Sequence, residues 1–236
     1  MVNCRAFSIH HSAFSIQHSP FTIMKHLVLI GPPGAGKSTI SELLVARIPL
    51  AVIATGKRLR QEIADGSQIG REIAPILEQG HFAPDTLMDR LMRGWLATTP
   101  AGQGILLDGF PRTVPQALAL ETMLADVRRP LDAVISLEIT ADAAVRRLGG
   151  RRICAGGGEP FTLHIDDAEA VARCQARGGT LTRRDDDAPE VILERLRVYA
   201  RETAPLIEFY RRRGLLTPVD AHGPAAEVAA RVIAAL

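Results

Sequence analysis

A chain of 236 residues, 47% apolar and 23% charged, can bury one sizeable core with an insertion, or two small ones, and is not a disordered polymer. Its formal net charge of +2 is too small to argue for nucleic acid or a membrane surface as partner, and aromatic residues make up only 4%. Three cysteines cannot build a disulfide framework and no apolar run is long enough to span a bilayer, so a reducing, cytoplasmic setting is expected.

The first 23 residues differ from the rest: "AFSIHHS" at 6–12 is followed at once by "AFSIQHS" at 13–19. The stretch lacks the basic start, long apolar centre and cleavage site of a signal peptide, and two copies are too few for a repeat architecture. Met24 then opens "MKHLVLIGPPG". Translation is expected to start there, with 1–23 a gene-prediction artefact or a disordered leader; the alternative is a short regulatory or targeting extension.

The run 26–31 reads as a buried strand ended by Gly and Pro, 37–48 as a helix, and 50–55 as a second buried strand. Residues 56–80 read as two short helices broken near "DGSQ", and 84–98 as an amphipathic helix with Pro at its start. Strands at 104–109 and 131–139 flank a helix at 113–126, and a helix at 140–151 follows, with Thr140 as its N-cap. Residues 152–185 are rich in Gly and polar side chains, hold both internal cysteines and show no long periodicity; they read as an inserted subdomain that covers something. A long helix over 189–214, bent near Pro205, a strand in "LLTPVD" and a helix in "PAAEVAARVIAA" complete the chain. Strands alternating with helices predict an α/β fold whose parallel sheet is covered on both faces.

"GPPGAGKST", Gly31 to Thr39, matches the whole of G-x-x-x-x-G-K-[ST] between a strand and a helix. Such glycines let backbone N–H groups turn inward around phosphate oxygens, and the helix N-terminus adds a favourable dipole. Lys37 is then placed for the β- and γ-phosphates, and Ser38 or Thr39 for phosphate or magnesium. "LLDGFPR" puts Asp108 at the carboxyl end of a buried strand, where ligands meet a parallel sheet and where a carboxylate can hold Mg2+ through water. Only three of the 28 basic residues are lysine. A GC-rich coding sequence accounts for that bias, and so does repeated phosphate binding by planar guanidinium groups.

"GPPGAGKST", "TGKRLR", "DGFPRT", "GGRR" and "RRDDDAPEVILERL" stand in the order and spacing of the adenylate kinases, which the chain resembles over 24–236. The resemblance implies a P-loop NTPase-type parallel sheet flanked by helices, with core segments at 24–53, 84–151 and 186–236. It also implies a nucleoside monophosphate-binding subdomain at 54–83 and a lid at 152–185. The implied reaction is ATP plus AMP giving two ADP, with Mg2+ accompanying ATP. Nothing in the sequence demands an oligomer, so a monomer is the expectation, and charge, aromatic content and apolar runs lead to the expectation of neither nucleic acid nor membrane as partner.

The resemblance implies that ATP meets Gly34, Ala35, Gly36, Lys37, Ser38, Thr39, Arg147 and Arg151, with Arg147 near the base. It assigns AMP to Thr55, Arg60, Ala83, Gly109, Arg112, Gln116, Arg184 and Arg195, with Gln116 reading the adenine edge. Lys37, Arg112, Arg151, Arg184 and Arg195 would carry the transfer, and Asp186 and Asp187 would be the paired lid carboxylates. Arg183 is the alternative to Arg184. Guanidinium groups from several segments suit two crowded polyphosphates, because they keep their charge near neutral pH.

Two departures stand out. Lys57 follows "TG" where the family usually has Asp, which puts rate and metal use in doubt. The lid has Cys154 and Cys174 alone where many relatives carry two C-x-x-C pairs. A structural zinc site wants four ligands, so Cys154 and Cys174 are expected to be unbonded remnants without zinc; a disulfide between them, or a site completed by His164 and Asp166, is the alternative. The alternative functions are a P-loop kinase acting on another nucleoside monophosphate, and a weakened nucleotide-binding regulatory protein.

Overall fold

The structure, a computed structural model, describes residues 25–236. The expectations for 1–23 and for Met24 lie outside the described residues.

Strand β1 (His26–Ile30) runs into α1 (Lys37–Val45). Then come β2 (Leu50–Ala54), α2 (Thr55–Ala64), α3 (Gln68–Glu78) and α4 (Asp85–Ala97). Strand β3 (Gly104–Asp108), α5 (Val114–Asp126), β4 (Ala133–Glu138) and α6 (Ala141–Gly149) follow. A second group holds β5 (Arg151–Ala155), β6 (Phe161–His164), α7 (Ala168–Ala176) and β7 (Thr180–Thr182). Helices α8 (Pro189–Val198) and α9 (Pro205–Arg212), strand β8 (Leu216–Asp220) and α10 (Ala225–Ala234) end the chain.

Five strands pair in parallel in the order β2-β3-β1-β4-β8. Successive side chains of a strand point to opposite faces, and both faces here are covered. Val28 and Ile30 of β1 therefore enter one apolar cluster, and Leu27 and Leu29 the other. The first cluster includes Met88 and Met92 of α4, Leu120 of α5, and Leu206 and Tyr210 of α9. The second includes Ile40 and Leu44 of α1 with Val228 and Val232 of α10. Burial on both sides is why these strands read as unbroken apolar runs. After β1 the chain builds β2 and β3 on one side and then β4 and β8 on the other. The reversal beside β1 opens a crevice at the carboxyl ends of the strands.

The second group is a small antiparallel sheet, order β6-β5-β7, with α7 on it. Its strands have three to five residues, too few for a period of two to stand out in the sequence. The expectation of unbonded thiols is corrected: Cys154 and Cys174 form a disulfide across 20 residues. The cause is packing. β5 and α7 turn both sulfurs into one small core with Leu163 and Ala170, and both cysteines are fully buried. A Cβ on Gly179 would fall 2.5 Å from one sulfur and 2.9 Å from the other, so the chain passes tightly over the bond.

The long helix expected over 189–214 is also corrected in detail. It is interrupted at Tyr199–Thr203 by a π-type turn, closed by the Ala204 N–H donating to the Tyr199 carbonyl at 2.9 Å. Pro205 lacks an N–H and its ring crowds the carbonyl four residues back, and the wider turn relieves that clash.

Candidate active site

The phosphate loop lies between β1 and α1. Gly36 has φ +88° and no atom within 4 Å of where a Cβ would sit. A side chain there would strain the backbone and fill the space in front of the N-terminus of α1. Lys37 Nζ donates to the carbonyls of Gly31 at 2.6 Å and Pro32 at 3.0 Å. Burial lowers the Lys37 pKa to about 8; Asp108 works against that shift, while Arg112, Arg195 and Arg151 add to it. Ser38, at the start of α1, donates its hydroxyl proton to Asp108 Oδ2 at 2.6 Å.

Asp108 ends β3, and the turn after it aims two further groups. Gly109 has φ +86°, and a Cβ on it would lie 2.6 Å from Thr55 Oγ1. Glycine is required there because Thr55, at the start of α2, crosses that spot to donate to the Asp108 carbonyl at 3.1 Å. Arg112 Nε donates to the Gly109 carbonyl at 2.8 Å, and its guanidinium lies 4.6 Å from the centre of the Phe82 ring. Burial, with Arg195 beside it, pushes Arg112 down to about 10, so it stays charged at neutral pH.

Gln116 is 1% exposed. Its Oε1 accepts from the Arg112 N–H at 2.7 Å, and its Nε2 donates to Asp85 Oδ1 at 2.6 Å. Thr113 caps α5 by accepting from the Gln116 N–H at 3.2 Å, and donates its own proton to Asp85 Oδ2 at 2.9 Å. Thr113-x-x-Gln116 has the spacing of a capping box, yet the glutamine side chain turns away from the cap and towards α4.

Arg151 at the start of β5 and the segment after β7 supply the remaining charges. Arg151 makes a two-pronged ion pair with Asp187, Nε donating to Oδ2 at 2.7 Å. Arg195 Nη1 donates to Asp187 Oδ1 at 3.2 Å and to the Asp186 carbonyl at 2.8 Å. Arg184 Nε lies 3.2 Å from Asp186 Oδ1. Burial alone would raise the Asp186 pKa, but Arg195, Arg184, Arg151 and Arg60 outweigh it and hold it below the usual carboxylate range. Burial beside Arg151 and Arg60 pushes Arg184 to about 10.

Lys37, Asp108, Arg60, Arg112, Arg151, Arg184 and Arg195 thus act on one another across segments far apart in sequence. Between neighbours of like charge this is unfavourable without an anion, and polyphosphate oxygens would relieve it. Arg147 stands at the loop's other edge, donating to the Ala221 carbonyl at 2.9 Å and reaching Gly34 O at 3.5 Å. Ala35 and Ala83 are buried, while Ser38, Thr39 and Arg60 are exposed. Lys57 is exposed in the first turn of α2 and makes no hydrogen bond or ion pair among the described residues. His164 lies 3.5 Å from Asp166, and among the described residues no three His, Cys, Asp or Glu side chains converge as a metal site. Asp85 is the site residue that sequence reasoning passed over. An acid in a helix's first turn reads as a dipole partner, and its distance from Gln116 in sequence hides the contact.

The sequence profile described as "Adenylate kinase" matches residues 29–215. The chain is similar to an "Adenylate kinase" of Salinispora tropica, 42% identical over 210 residues, which are 89% of this chain and 97% of that one. It is also similar to one of Gemmatimonas aurantiaca, 42% identical over 213 residues covering 89% and 98%, and to one of Methanocella arvoryzae, 39% identical over 209 residues covering 89% and 97%.

Proposed function

This chain belongs to the adenylate kinase family, and on that premise we propose which of its residues carry the reaction. The enzyme transfers the terminal phosphoryl group of ATP to AMP and releases two ADP. An oxygen of the AMP phosphate forms the new bond to the γ-phosphorus as the bond from that phosphorus to the β–γ bridging oxygen breaks. The protein's task is in-line positioning and neutralisation of charge.

ATP is held by the loop Gly34, Ala35, Gly36, Lys37, Ser38 and Thr39, with Arg147 at its edge and Arg151 on the phosphates. AMP is held by Thr55, Arg60, Ala83, Gly109, Arg112 and Gln116, with Arg184 and Arg195 on its phosphate side. Lys37, Arg112, Arg151, Arg184 and Arg195 neutralise the oxygens as the phosphoryl group passes. The observation that carries this reading is geometric: Lys37 Nζ sits on the loop carbonyls of Gly31 and Pro32, Ser38 bonds Asp108 at the end of β3, and Arg112, Arg151 and Arg195 gather around the same buried lysine. Segments 54–83 and 152–185 serve as the monophosphate-binding subdomain and the lid, which excludes water from the transfer.

The Ser38 hydroxyl and the Asp108 carboxylate are hard oxygen donors 2.6 Å apart, and they fit a Mg2+ carried in with ATP, Asp108 through water. When bound, that ion draws charge from the β- and γ-phosphate oxygens. Zinc has no part in the proposal, since the two lid sulfurs are bonded to each other. One chain supplies both nucleotide sites, which supports a monomer. Cations gathered in one cleft rather than along a stripe do not favour nucleic acid. No helix among the described residues is long and apolar enough to cross a membrane. The cytoplasm is the proposed setting, because ATP and AMP are available there.

Initial rates with ATP, Mg2+ and each of AMP, GMP, CMP and UMP test the assignment. AMP is expected to give by far the largest kcat/KM, and Lys37→Ala to lower kcat by about 10²–10³. A different preferred acceptor, or a fully active Lys37→Ala, overturns it.

A further inference from the structure

Gln116 has unfinished hydrogen bonding. A primary amide offers two N–H donors and two carbonyl lone pairs. Oε1 accepts one bond from the Arg112 N–H and Nε2 gives one to Asp85 Oδ1. One donor and one acceptor are left over in a side chain that is 1% exposed. A buried amide left half-satisfied is costly unless a ligand completes it.

The two bonds also leave no freedom in how the amide lies. The Arg112 N–H can only donate, so the atom facing it must be the oxygen. The Asp85 carboxylate, when ionised, can only accept, so the atom facing it must be the nitrogen. A flipped amide would set N–H against N–H and oxygen against carboxylate. Asp85 is itself held, because its second oxygen takes the Thr113 hydroxyl proton at 2.9 Å.

We propose that Asp85 is a specificity-determining positioning residue: together with the Arg112 N–H it fixes which end of the Gln116 amide is donor and which is acceptor, and so selects an adenine edge over a guanine edge. This rests on the reading of Gln116 as the group that meets the AMP base. Adenine offers an exocyclic N–H donor beside a ring-nitrogen acceptor, which pairs with one amide orientation. Guanine offers either two acceptors, O6 and N7, or, on its other edge, O6 beside a ring N–H, the reverse order. An amide that cannot flip matches adenine and opposes guanine. A site holding hydrogen-bonding groups in place rejects a mismatched partner because those groups are then left unpaired.

The test uses the full-length protein with Asp85→Asn, which keeps the size of the side chain but no longer presents acceptors alone and so removes one of the two contacts that fix the amide, and with Gln116→Leu. For each, kcat and KM are measured with ATP, AMP and GMP, together with the melting temperature. Asp85→Asn is expected to raise KM for AMP by about tenfold and to lower the AMP-to-GMP ratio of kcat/KM by a similar factor. KM for ATP is expected to stay unchanged. A purely structural role would lower activity with both acceptors alike, and that outcome overturns the proposal. If Gln116→Leu raises KM for AMP while Asp85→Asn leaves the ratio intact, the proposal falls and the base reading stands. If Gln116→Leu changes nothing, the base reading falls and takes the proposal with it. Should Asp85→Asn not fold, Asp85→Ala, which removes the acceptor, is read against the same ratio with the same two outcomes.

Discussion

Lys37 binds its proton less tightly than a free lysine because burial and three arginines disfavour its charge, and the pKa falls to about 8 from 10.5. In the proposed complex phosphate oxygens reverse that environment, so the nucleotide-bound enzyme is expected to hold the proton more firmly than the free enzyme does. Below pH 8 both forms are protonated and ATP affinity is flat with pH. Above it, ATP binding takes up a proton and affinity falls by roughly tenfold per pH unit. Titration calorimetry at pH 9 in buffers of different ionisation heat is expected to show that uptake, and its absence means that another group meets the phosphates. The ligand-free protein follows the opposite course. Its unfolded chain keeps the proton up to 10.5, so this group alone makes stability rise between pH 8 and 10.5. Lys57 differs in kind: it is exposed and unpaired among the described residues, and nothing in the structure explains why a cation stands in the first turn of α2.

Among the elements, the small sheet of β5, β6 and β7 is the one least able to hold itself together. Its buried core is Cys154, Leu163, Ala170 and Cys174, against the large clusters on either face of the main sheet. The disulfide joins β5 to α7 across 20 residues, and a link of that span is worth about 3 kcal/mol on chain-entropy grounds. A Cys154→Ala, Cys174→Ala double variant is therefore expected to exchange its amide hydrogens faster throughout 151–182 while β1, β3 and β4 keep their protection. Unchanged exchange in that segment means that the sheet stands without the link. The elements of the main sheet are legible from sequence, since a run such as "LVLI" at 27–30 is apolar at every position. The strands β5, β6 and β7 and the π-type turn are not: the former are too short to show a period, and the latter comes from Pro205 acting on the turn before it.

Across the whole molecule, Asp187 joins parts that the chain order separates. It is 1% exposed and bonds both Arg151, where the chain enters the small sheet, and Arg195 on α8, beyond its exit. Removing one partner of a buried ion pair leaves the others uncompensated and costs about 3 kcal/mol or more. Asp187→Asn is expected to lower stability in urea by about that amount and to reduce kcat, because two guanidiniums proposed to meet the phosphates lose their support. A variant as stable and as active as the parent means that this carboxylate only accompanies the fold. Gly80 marks a second point of contact between separated parts. A Cβ there would meet Arg195 Cγ at 2.9 Å, so the end of the α2–α3 segment lies directly on α8.

By itself the sequence determined the parallel α/β sheet, the phosphate loop and the family, because each rests on local patterns: apolar runs, glycine spacing and contiguous motifs. Tertiary structure decided what those motifs do together. The bond between Asp85 and Gln116 spans 31 positions, that between Arg151 and Asp187 spans 36, and Ser38 meets Asp108 across 70. No spacing rule reaches so far, since such contacts exist only where the packed elements bring the side chains together. The disulfide belongs with them. Two cysteines in a short polar stretch read as free thiols, and only the packing of β5 and α7, which turns both sulfurs into the same core, makes them a bonded pair.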